Sequence, residues 1–335
     1  MNLHVPVLVG SYTTRGNLFL APVAGYSDAA FRSVCIDAGC DLAFTEMVSS
    51  EALTRGHLKT EVLLGREANE QDYAVQLFGS SPEVMARAAS IVAERWGPAI
   101  IDVNCGCPVP KITRTGAGSA LMRDPGRIRA IVEAMAVAVA TPVTVKIRLG
   151  WDDSSINYLE AAAAAVEGGA AAVTLHARTK TQGYAGKADR AAFSRLAESV
   201  TVPVFASGDM FTAAAAVELL SGAGRVAGVM FARGAMGDPF IFTRARAALE
   251  GLAEPLTPAA ARIAAARRHL SVSIHHYGER VACVEFRKQA CAWLKGTPGG
   301  AELRKLAVSC CSAGDWEAFF AAWGKAAERL EPTGS

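Results

Sequence analysis

The sequence lacks the features that mark membrane-spanning, secreted and zinc-binding proteins. No run of roughly 18 apolar residues occurs, so a transmembrane helix is not predicted. The segment Met1–Val5 has neither the basic region nor the long apolar core of a signal peptide. Eight cysteines are present, but they do not form the CxxC…CxxC spacing of a zinc site. We therefore expect a cytoplasmic protein with reduced thiols, no membrane partner and no metal ion.

A strong excess of charge of one sign is also missing. The net charge is +2, so composition alone does not indicate a nucleic-acid-binding protein. The charge is uneven, however, because residues 256–335 carry 11 Lys and Arg against 7 Asp and Glu. Such a basic end is typical of a region that binds a polyanion, and equally of a solvated helical face.

Eight short apolar runs, most of them rich in Val, Ile, Leu or Phe, follow one another along the chain. Segments with helical character separate them, and this alternation predicts an α/β fold, the (β/α)8 TIM barrel. An open doubly wound sheet is the alternative, but no Gly-x-Gly-x-x-Gly follows the first run. The runs are Leu18–Ala21, Leu42–Thr45, Ala74–Leu77, Ile100–Asn104, Val143–Ile147, Ala172–His176, Val204–Ser207 and Gly228–Phe231.

Start and stop signals place helices between these runs. Ser81-Pro82 and Asp124-Pro125 are typical of helix N-termini, with a capping side chain followed by proline. Asn157–Glu167 and Thr212–Leu220 are predicted as further helices, each followed by glycine. Ahead of the first run, the β-prone segment Val5–Tyr12 is predicted to close the bottom of the barrel.

The pattern changes near Leu252–Pro258, where two prolines mark a hinge. Beyond it every periodic segment is helical. We therefore divide the chain into a barrel domain, residues 1–250, and an all-helical C-terminal domain, residues 251–335, which carries no catalytic motif of its own. The predicted helices of this second domain are Ala259–Tyr277, Arg280–Leu294, Ala301–Ser309 and Asp315–Leu330.

Polar residues stand at the C-terminal ends of the predicted strands, where barrel enzymes place their active sites. The fourth strand ends most abruptly, since Ile100–Val103 runs directly into Asn104, Cys105 and Cys107. Two thiols are therefore expected near the mouth of the barrel. The other polar residues at strand ends are Gln76, Lys146, Arg148, His176, Arg178, Ser207, Gly208, Asp209, Ala232 and Arg233.

Lys146 needs a specific explanation, because it lies in the apolar run Val143–Ile147. An unpaired ammonium group is costly to bury, so it requires an anion or a lowered pKa. A Schiff-base lysine and a cation beside a cofactor that becomes anionic both meet this requirement. Gly208 and Gly234 allow close approach of the backbone to a phosphate, which indicates a phosphorylated cofactor.

The strand ends carry motifs that occur together in one enzyme family. The most specific is Asp102-Val103-Asn104-Cys105-Gly106-Cys107-Pro108, accompanied by Val145-Lys146-Ile147-Arg148 and His176-Ala177-Arg178-Thr179. With these motifs the chain closely resembles the bacterial tRNA-dihydrouridine synthases, from about residue 17 to residue 242. The helical end resembles the tRNA-binding domain of that family. Further matching stretches are Leu20–Asp28, Thr45–Ser49, Val75–Gly79, Lys111, Gly116–Leu121, Gly208-Asp209, Phe286-Arg287-Lys288 and Trp293-Leu294-Lys295-Gly296.

The resemblance implies an FMN-binding barrel whose reductant is NADPH or NADH. Pro22, Val23 and Ala24 are expected to present backbone to the isoalloxazine ring, and Gln76 to hydrogen-bond its pyrimidine edge. Lys146 is expected to stabilise the charge of the reduced flavin. The residues expected to hold the phosphate side are His176, Ser207, Gly208, Asp209, Ala232 and Arg233.

The resemblance also implies the reaction, which reduces the C5=C6 bond of specific uridines in tRNA to 5,6-dihydrouridine. The uridine leaves its stack and enters the barrel mouth. Reduced flavin gives a hydride to C6, and Cys107, which directly precedes Pro108, gives a proton to C5. A thiol with a pKa of about 8.5 is mostly protonated at neutral pH, as this role requires. Contacts to tRNA are expected from Asn104, Arg148, Arg178, Lys180, Arg287, Lys288 and Lys295.

Three positions depart from the family pattern. Ala232 stands where glycine is usual, and its methyl group predicts a looser hold on the phosphate. Ser207 stands where asparagine is common and offers a shorter donor. Cys105 adds a second thiol, which competes with Cys107 for the role of acid; the position next to Pro108 favours Cys107.

Two alternatives to a tRNA-uridine reductase stay open at this point. An FMN barrel reductase of a free pyrimidine or an enone needs no RNA platform, so the basic helical end argues against it. A Schiff-base aldolase or lyase that uses Lys146 predicts a protein without flavin. We expect a monomer. No motif specifies which uridine is modified, or NADPH over NADH.

Overall fold

The computed structural model describes residues 2–222 and 226–328. Within these ranges the chain alternates between short strands and helices up to residue 249 and is helical from residue 259 onwards. The strands are β1 (Leu8–Val9), β2 (Tyr12–Thr13), β3 (Leu18–Leu20), β4 (Leu42–Ala43), β5 (Val48–Ser49), β6 (Ala74–Phe78), β7 (Ile100–Cys105), β8 (Val143–Arg148), β9 (Val173–His176), β10 (Val204–Ser207) and β11 (Gly228–Phe231).

Strands β3 to β11 form one parallel sheet in the order β4-β3-β11-β10-β9-β8-β7-β6-β5. A parallel bridge between Phe44 and Ala74 joins the segment after β4 to β6. The backbone N–H of Thr45 also donates to the carbonyl of Ala74, at 2.9 Å. These contacts close the sheet, and the predicted (β/α)8 barrel is confirmed. All eight predicted strands are present, whereas the two-residue strand β5 was not predicted.

The hairpin of β1 and β2 closes the N-terminal end of the barrel, as predicted for Val5–Tyr12. Val7 and Val9 are buried there in a hydrophobic cluster with Phe19, Ile100 and Phe205. These large side chains fill the lower barrel. The space that remains open is at the opposite, C-terminal end of the strands.

Capping side chains begin several barrel helices where the sequence indicated. The Ser81 hydroxyl accepts from Val84 N at 3.3 Å, and the Asp124 carboxylate accepts from Arg127 N at 3.0 Å. Asn157 precedes its helix without capping it. The barrel helices are α1 (Ala29–Asp37), α2 (Ser50–Thr54), α3 (Leu58–Glu61), α4 (Pro82–Trp96), α5 (Pro110–Thr113), α6 (Pro125–Ala138), α7 (Tyr158–Glu167), α8 (Ala191–Ser199), α9 (Ala213–Ser221) and α10 (Ile241–Leu249).

The C-terminal region consists of four helices with a core of their own: α11 (Ala259–Tyr277), α12 (Glu279–Trp293), α13 (Gly300–Ala307) and α14 (Ala313–Glu328). Trp293, Trp316 and Trp323 are almost completely buried in this core. The predicted all-helical character is confirmed; the predicted end of the last helix, Leu330, lies outside the described residues. Within the described part of the chain, every helix is too short or too polar to cross a membrane.

The helical region packs against the barrel on the side of the strand ends. Val34 of α1 belongs to the helical core, and the guanidinium group of Arg268 pairs with Asp37 at 2.5 Å. Lys288 donates to the carbonyl of Gly25, just after β3, at 2.8 Å. Gly237, in the loop after β11, has a φ of +71° and approaches Ala292 so closely that a Cβ would overlap its carbonyl. The helices therefore stand beside the barrel mouth.

Candidate active site

An open cavity of about 240 Å³ lies at the C-terminal ends of the strands. It brings together most of the residues that the sequence singled out for cofactor and substrate. These residues are Pro22, Val23, Ala24, Gln76, Asn104, Cys107, Lys146, Arg148, His176, Ser207, Gly208, Asp209, Ala232 and Arg233. Met47, Pro108, Val109, Tyr184, Met210 and Phe211 also line it and were not predicted.

The two neighbouring thiols, Cys105 and Cys107, are separated because β7 ends at Cys105 and Cys107 lies in the loop that follows. Asp102 and Asn104 point into the barrel, whereas Val103 and Cys105 belong to the core outside it, shared with the helices. Cys105 is 0% exposed, and burial raises its pKa far above the usual range. Cys107, beyond the end of the strand, is half-buried and lines the cavity. Of the two thiols, Cys107 therefore faces the cavity and Cys105 does not.

A chain of short hydrogen bonds crosses the barrel beneath the cavity. Asn104 Nδ2 donates to Gln76 Oε1 at 2.7 Å, and Gln76 Nε2 donates to Asp102 Oδ2 at 2.7 Å. The hydroxyl of Thr144 donates to Asp102 Oδ1 at 2.6 Å. Gln76, Asp102 and Thr144 are register partners on β6, β7 and β8, so three adjacent strands place the acceptor between its two donors.

Groups at both ends of this hydrogen-bond chain determine which atom donates and which accepts in each bond. Asn104 Oδ1 accepts from the backbone N–H groups of Gly106 and Cys107, at 3.1 and 2.8 Å, and these can only donate. Asp102 is 1% exposed; burial raises its pKa to about 6, so at neutral pH it is mostly a carboxylate, which can only accept. The amides of Asn104 and Gln76 are therefore held in one orientation. Gln76 keeps one N–H and one lone pair free, whereas the second N–H of Asn104 donates to Met47 Sδ at 3.7 Å.

The loop after β7 holds Cys107 through backbone contacts with a neighbouring segment. Cys107 O accepts from Ser119 N at 3.0 Å. Gly118 has a φ of +62°, and a Cβ there would lie 2.9 Å from this carbonyl oxygen and 3.2 Å from Cys107 Cβ. Burial raises the pKa of the Cys107 thiol above its ordinary value. The thiol is therefore fixed in place and protonated at neutral pH.

Lys146 and His176 face the same cavity from β8 and β9. Burial, followed by the neighbouring charge of Arg148, lowers the pKa of Lys146 to about 8. Within the described residues no carboxylate pairs directly with its ammonium group. His176 is 8% exposed, and its pKa falls well below the usual range because of burial and the cations around it, so the ring is neutral. The cavity thus offers one unpaired cation and one neutral imidazole.

Comparison with known proteins places this site in a family. A family model described as dihydrouridine synthase (Dus) matches residues 19–326. The chain belongs to the dihydrouridine synthase family. It is 45% identical over 326 residues to a probable tRNA-dihydrouridine synthase of Treponema pallidum, covering 94% of this chain and 95% of the relative. It is 36% identical to tRNA-dihydrouridine synthase B of Pseudomonas putida, covering 89% and 88%.

Two solved structures share the barrel at low sequence identity. A 6-hydroxypseudooxynicotine amine oxidase from Pseudomonas geniculata N1 matches with a TM-score of 0.58 and 16% identity, over 75% of this chain and 50% of the other. A 2-naphthoyl-CoA reductase matches with a TM-score of 0.55 and 12% identity, over 75% and 52%. They support the fold alone. Because it belongs to the dihydrouridine synthases, the chain is an oxidoreductase that acts on CH–CH bonds. The alternative of a Schiff-base aldolase or lyase that uses Lys146 is therefore rejected.

Two arginines predicted to contact tRNA are engaged inside this dihydrouridine synthase. Arg178 is 1% exposed and donates to Asp209 at 2.7 Å and to the carbonyls of Ala185 and Gly186. Its guanidinium group holds Asp209, whose φ is +53°, and the adjoining loop, so the structure gives no support to the predicted phosphate contact of Arg178.

Arg148 is 2% exposed and donates through Nε to Gly106 O at 2.7 Å, and through Nη1 to Thr179 O and Gly183 O. Because it also lines the cavity, only its remaining Nη2 is available to a ligand. Its burial restricts Arg148 to groups inside the cavity, and the predicted contact with tRNA stays a prediction for such groups.

The remaining cations predicted to contact tRNA lie outside the cavity. Lys180 packs its ammonium group over the ring of Trp151, 4.3 Å from the centroid. Arg287 is half-buried and donates to Cys310 O at 2.7 Å. Lys288 and Lys295 are exposed; Lys288 also lies over the ring of Tyr26 at 3.9 Å, whereas Lys295 lines a second pocket.

The sequence did not single out Tyr184 and Phe211, which form an aromatic edge of the cavity. They are 59% and 44% exposed, and Arg233 stacks between them, 4.9 and 5.2 Å from the two ring centroids. Both lie in loops after strands, without a periodic pattern. An aromatic residue in such a loop was the only signal, and it is a weak one.

Proposed function

We propose that this dihydrouridine synthase reduces specific uridines of tRNA to 5,6-dihydrouridine, with FMN as cofactor and NADPH as reductant. Support comes from the family assignment and from relatives whose names specify tRNA. The observation that carries the proposal is the pairing in one cavity of a protonated thiol, Cys107, with an unpaired ammonium group, Lys146.

The residues of the cavity fit a flavin mononucleotide. Pro22, Val23 and Ala24 offer a wall of small groups and backbone to a flat ring system. Gln76 keeps a free N–H and a free lone pair for the pyrimidine edge, and Lys146 supplies a cation. Candidates for the phosphate are His176, Ser207, Gly208, Ala232 and Arg233, with Asp209 orienting Arg233 at 3.4 Å. When bound and reduced, FMN supplies a hydride for uracil C6.

Cys107 is proposed as the catalytic acid that protonates uracil C5. Burial raises its pKa, so the proton is present on Sγ when the uridine arrives. After the transfer, the thiolate lies near the positive charges of Lys146 and Arg148, which favour its ionised form. Asn104 and Gly118 act on the loop backbone and keep Sγ in place.

The uridine must leave the RNA stack to reach this cavity, because the cavity is walled by the strand ends and their loops. Arg148 Nη2 and Asn104 are proposed to meet the flipped base. Lys180, Arg287 and Lys288 are proposed for the RNA outside the cavity, with Lys288 the most exposed of them. The protein is proposed to act as a monomer, as expected from the sequence.

The proposal is tested on in vitro transcribed tRNA, in which every uridine is unmodified. Cys107→Ala should retain bound flavin and its reduction by NADPH, while dihydrouridine measured by mass spectrometry of nucleosides falls on the order of a thousandfold. Cys311→Ala removes an exposed thiol of the helical region and serves as the matched control. Dihydrouridine formed at the wild-type rate by Cys107→Ala would contradict the role of Cys107. A wild-type protein that never binds flavin would contradict the function.

A further inference from the structure

A second pocket, of about 510 Å³, lies where the loop after β11 meets the helical region. Four cationic side chains line it, Arg233, Arg244, Arg262 and Lys295, against the single acidic side chain of Asp238. The barrel supplies Arg233 and Arg244, and the helical region supplies Arg262 and Lys295. The pocket therefore exists only where the two parts of the chain come together.

The protein neutralises only part of this positive charge. Asp238 pairs with Arg244 at 2.5 Å, and Arg233 shares Asp209 with Arg178, at 3.4 and 2.7 Å. Arg262 donates through Nη2 to the carbonyls of Trp293 and Lys295, at 2.7 and 3.2 Å, while its Nε is buried without a partner among the described residues. Lys295 is exposed at the rim. An anion is the ligand that this set of charges favours.

The pocket also has apolar surface, which a simple anion would not use. Phe211 is 44% exposed, Leu256 is 94% exposed, and Met236 and Pro255 lie beside them. Guanidinium groups next to exposed apolar and aromatic side chains suit a nucleotide, whose phosphates bind arginine while the base packs on the apolar groups. A helical strand of RNA would present phosphates to this wall but no free base.

The second pocket adjoins the cavity of the active site. Phe211 and Arg233 line both, and together they form the partition between them. A dinucleotide that enters the cavity with one base can therefore extend over this partition and leave its other half in the second pocket.

We propose that the second pocket binds the adenosine phosphate half of the nicotinamide reductant, and that its cations select NADPH over NADH through the 2′-phosphate. This inference rests on the proposed function, since it assumes that a nicotinamide dinucleotide reduces the flavin. The phosphates of tRNA offer the same chemistry from another source, so the two half-reactions are measured separately.

Lys295→Glu is the primary variant, because an exposed side chain can be reversed in charge without disturbing the core. The concentration of NADPH that gives half-maximal flavin reduction should rise about tenfold, the size expected for reversing one charge beside a phosphate. The corresponding value for NADH should change less than about twofold, since NADH lacks that phosphate. The proposal reassigns Lys295 from its predicted contact with tRNA to the reductant, so flavin reduced by dithionite should then reduce tRNA at the wild-type rate.

Lys325→Glu, an exposed lysine of α14 outside the pocket, makes the same change in net charge and is the control. Binding of 2′,5′-ADP to the full-length protein is followed by calorimetry, which needs neither turnover nor flavin chemistry. Lys295→Glu should weaken this binding about tenfold and Lys325→Glu should not.

Three results would overturn the inference: no binding of 2′,5′-ADP by the wild type, equal binding by Lys295→Glu, or a loss confined to the dithionite-driven step with tRNA. The last would assign the pocket to RNA. Failure of the proposed function is recognised separately, as an absence of dihydrouridine in the wild type even with dithionite.

Discussion

On the β6–β8 side of the active-site cavity the polar side chains of Gln76 and Asp102 are buried and joined by a hydrogen bond. On the β9–β11 side His176 and Ser207 are also buried, but Arg233 is exposed and rests on aromatic rings. Asp102 and Gln76 are each 1% exposed and fixed in one orientation. Arg233 is exposed and stacks between Tyr184 and Phe211. The two sides therefore differ in how firmly they hold polar groups: hydrogen bonds fix Gln76 and Asp102, whereas Arg233 is held by ring stacking and a 3.4 Å contact with Asp209.

The strongest test of the buried side is to remove its acceptor. Asp102→Leu leaves the donors of Gln76 and Thr144 unpaired in the barrel, and we expect the free energy of unfolding to fall by roughly 3 kcal/mol. Chemical denaturation measures the change. Asp102→Asn is the control, because its Oδ1 accepts from Gln76 and its Nδ2 donates to the hydroxyl of Thr144. If the leucine variant were as stable as the asparagine variant, the hydrogen-bond chain would not matter for the fold.

Lys146 provides a test through pH. Its pKa is lowered to about 8 by burial, so the ammonium group loses its proton as pH rises through that value. The affinity of the flavin-free protein for FMN should therefore be highest below pH 8 and fall about tenfold above it, measured by quenching of flavin fluorescence. Lys146→Arg stays charged and should remove this dependence. An affinity independent of pH in the wild type would show that Lys146 does not face the flavin.

On the exposed side we expect smaller effects. Arg233→Ala removes one solvated cation beside the proposed phosphate, and FMN affinity should fall about threefold, since exposed charges contribute up to about 1 kcal/mol. The loss should shrink further at high salt, because screening weakens exposed charges more than buried ones. A loss as large as that expected for Lys146 would remove the contrast between the two sides.

The barrel was predictable because its signals are local. Each apolar run is a buried strand, and Ser81 and Asp124 cap their helices through atoms within three residues. The alternation of side chains along β7 also determines the direction of Cys105: because Asp102 and Asn104 face inward, Cys105 faces outward. The orientation of Cys105 is therefore encoded in the local sequence of β7.

The roles of the arginines depend instead on contacts between distant parts of the chain. Arg178 meets Asp209, 31 positions later, and Arg148 meets the carbonyl of Gly106, 42 positions earlier. A polar residue at a strand end looks the same in sequence whether it faces a ligand or another loop. The second pocket was hidden for the same reason, since its cations come from both parts of the chain.

Gly237 and Ala292 bring the backbone of the barrel loop and the backbone of α12 into direct contact, with no room for a side chain between them. Ala292 lies three residues before Lys295, and both line the second pocket. Any side chain at position 237 would push the end of α12 outward and carry Lys295 away from Arg244. One hydrogen atom in place of a methyl group thus sets the width of the pocket, and with it the size of the ligand that fits.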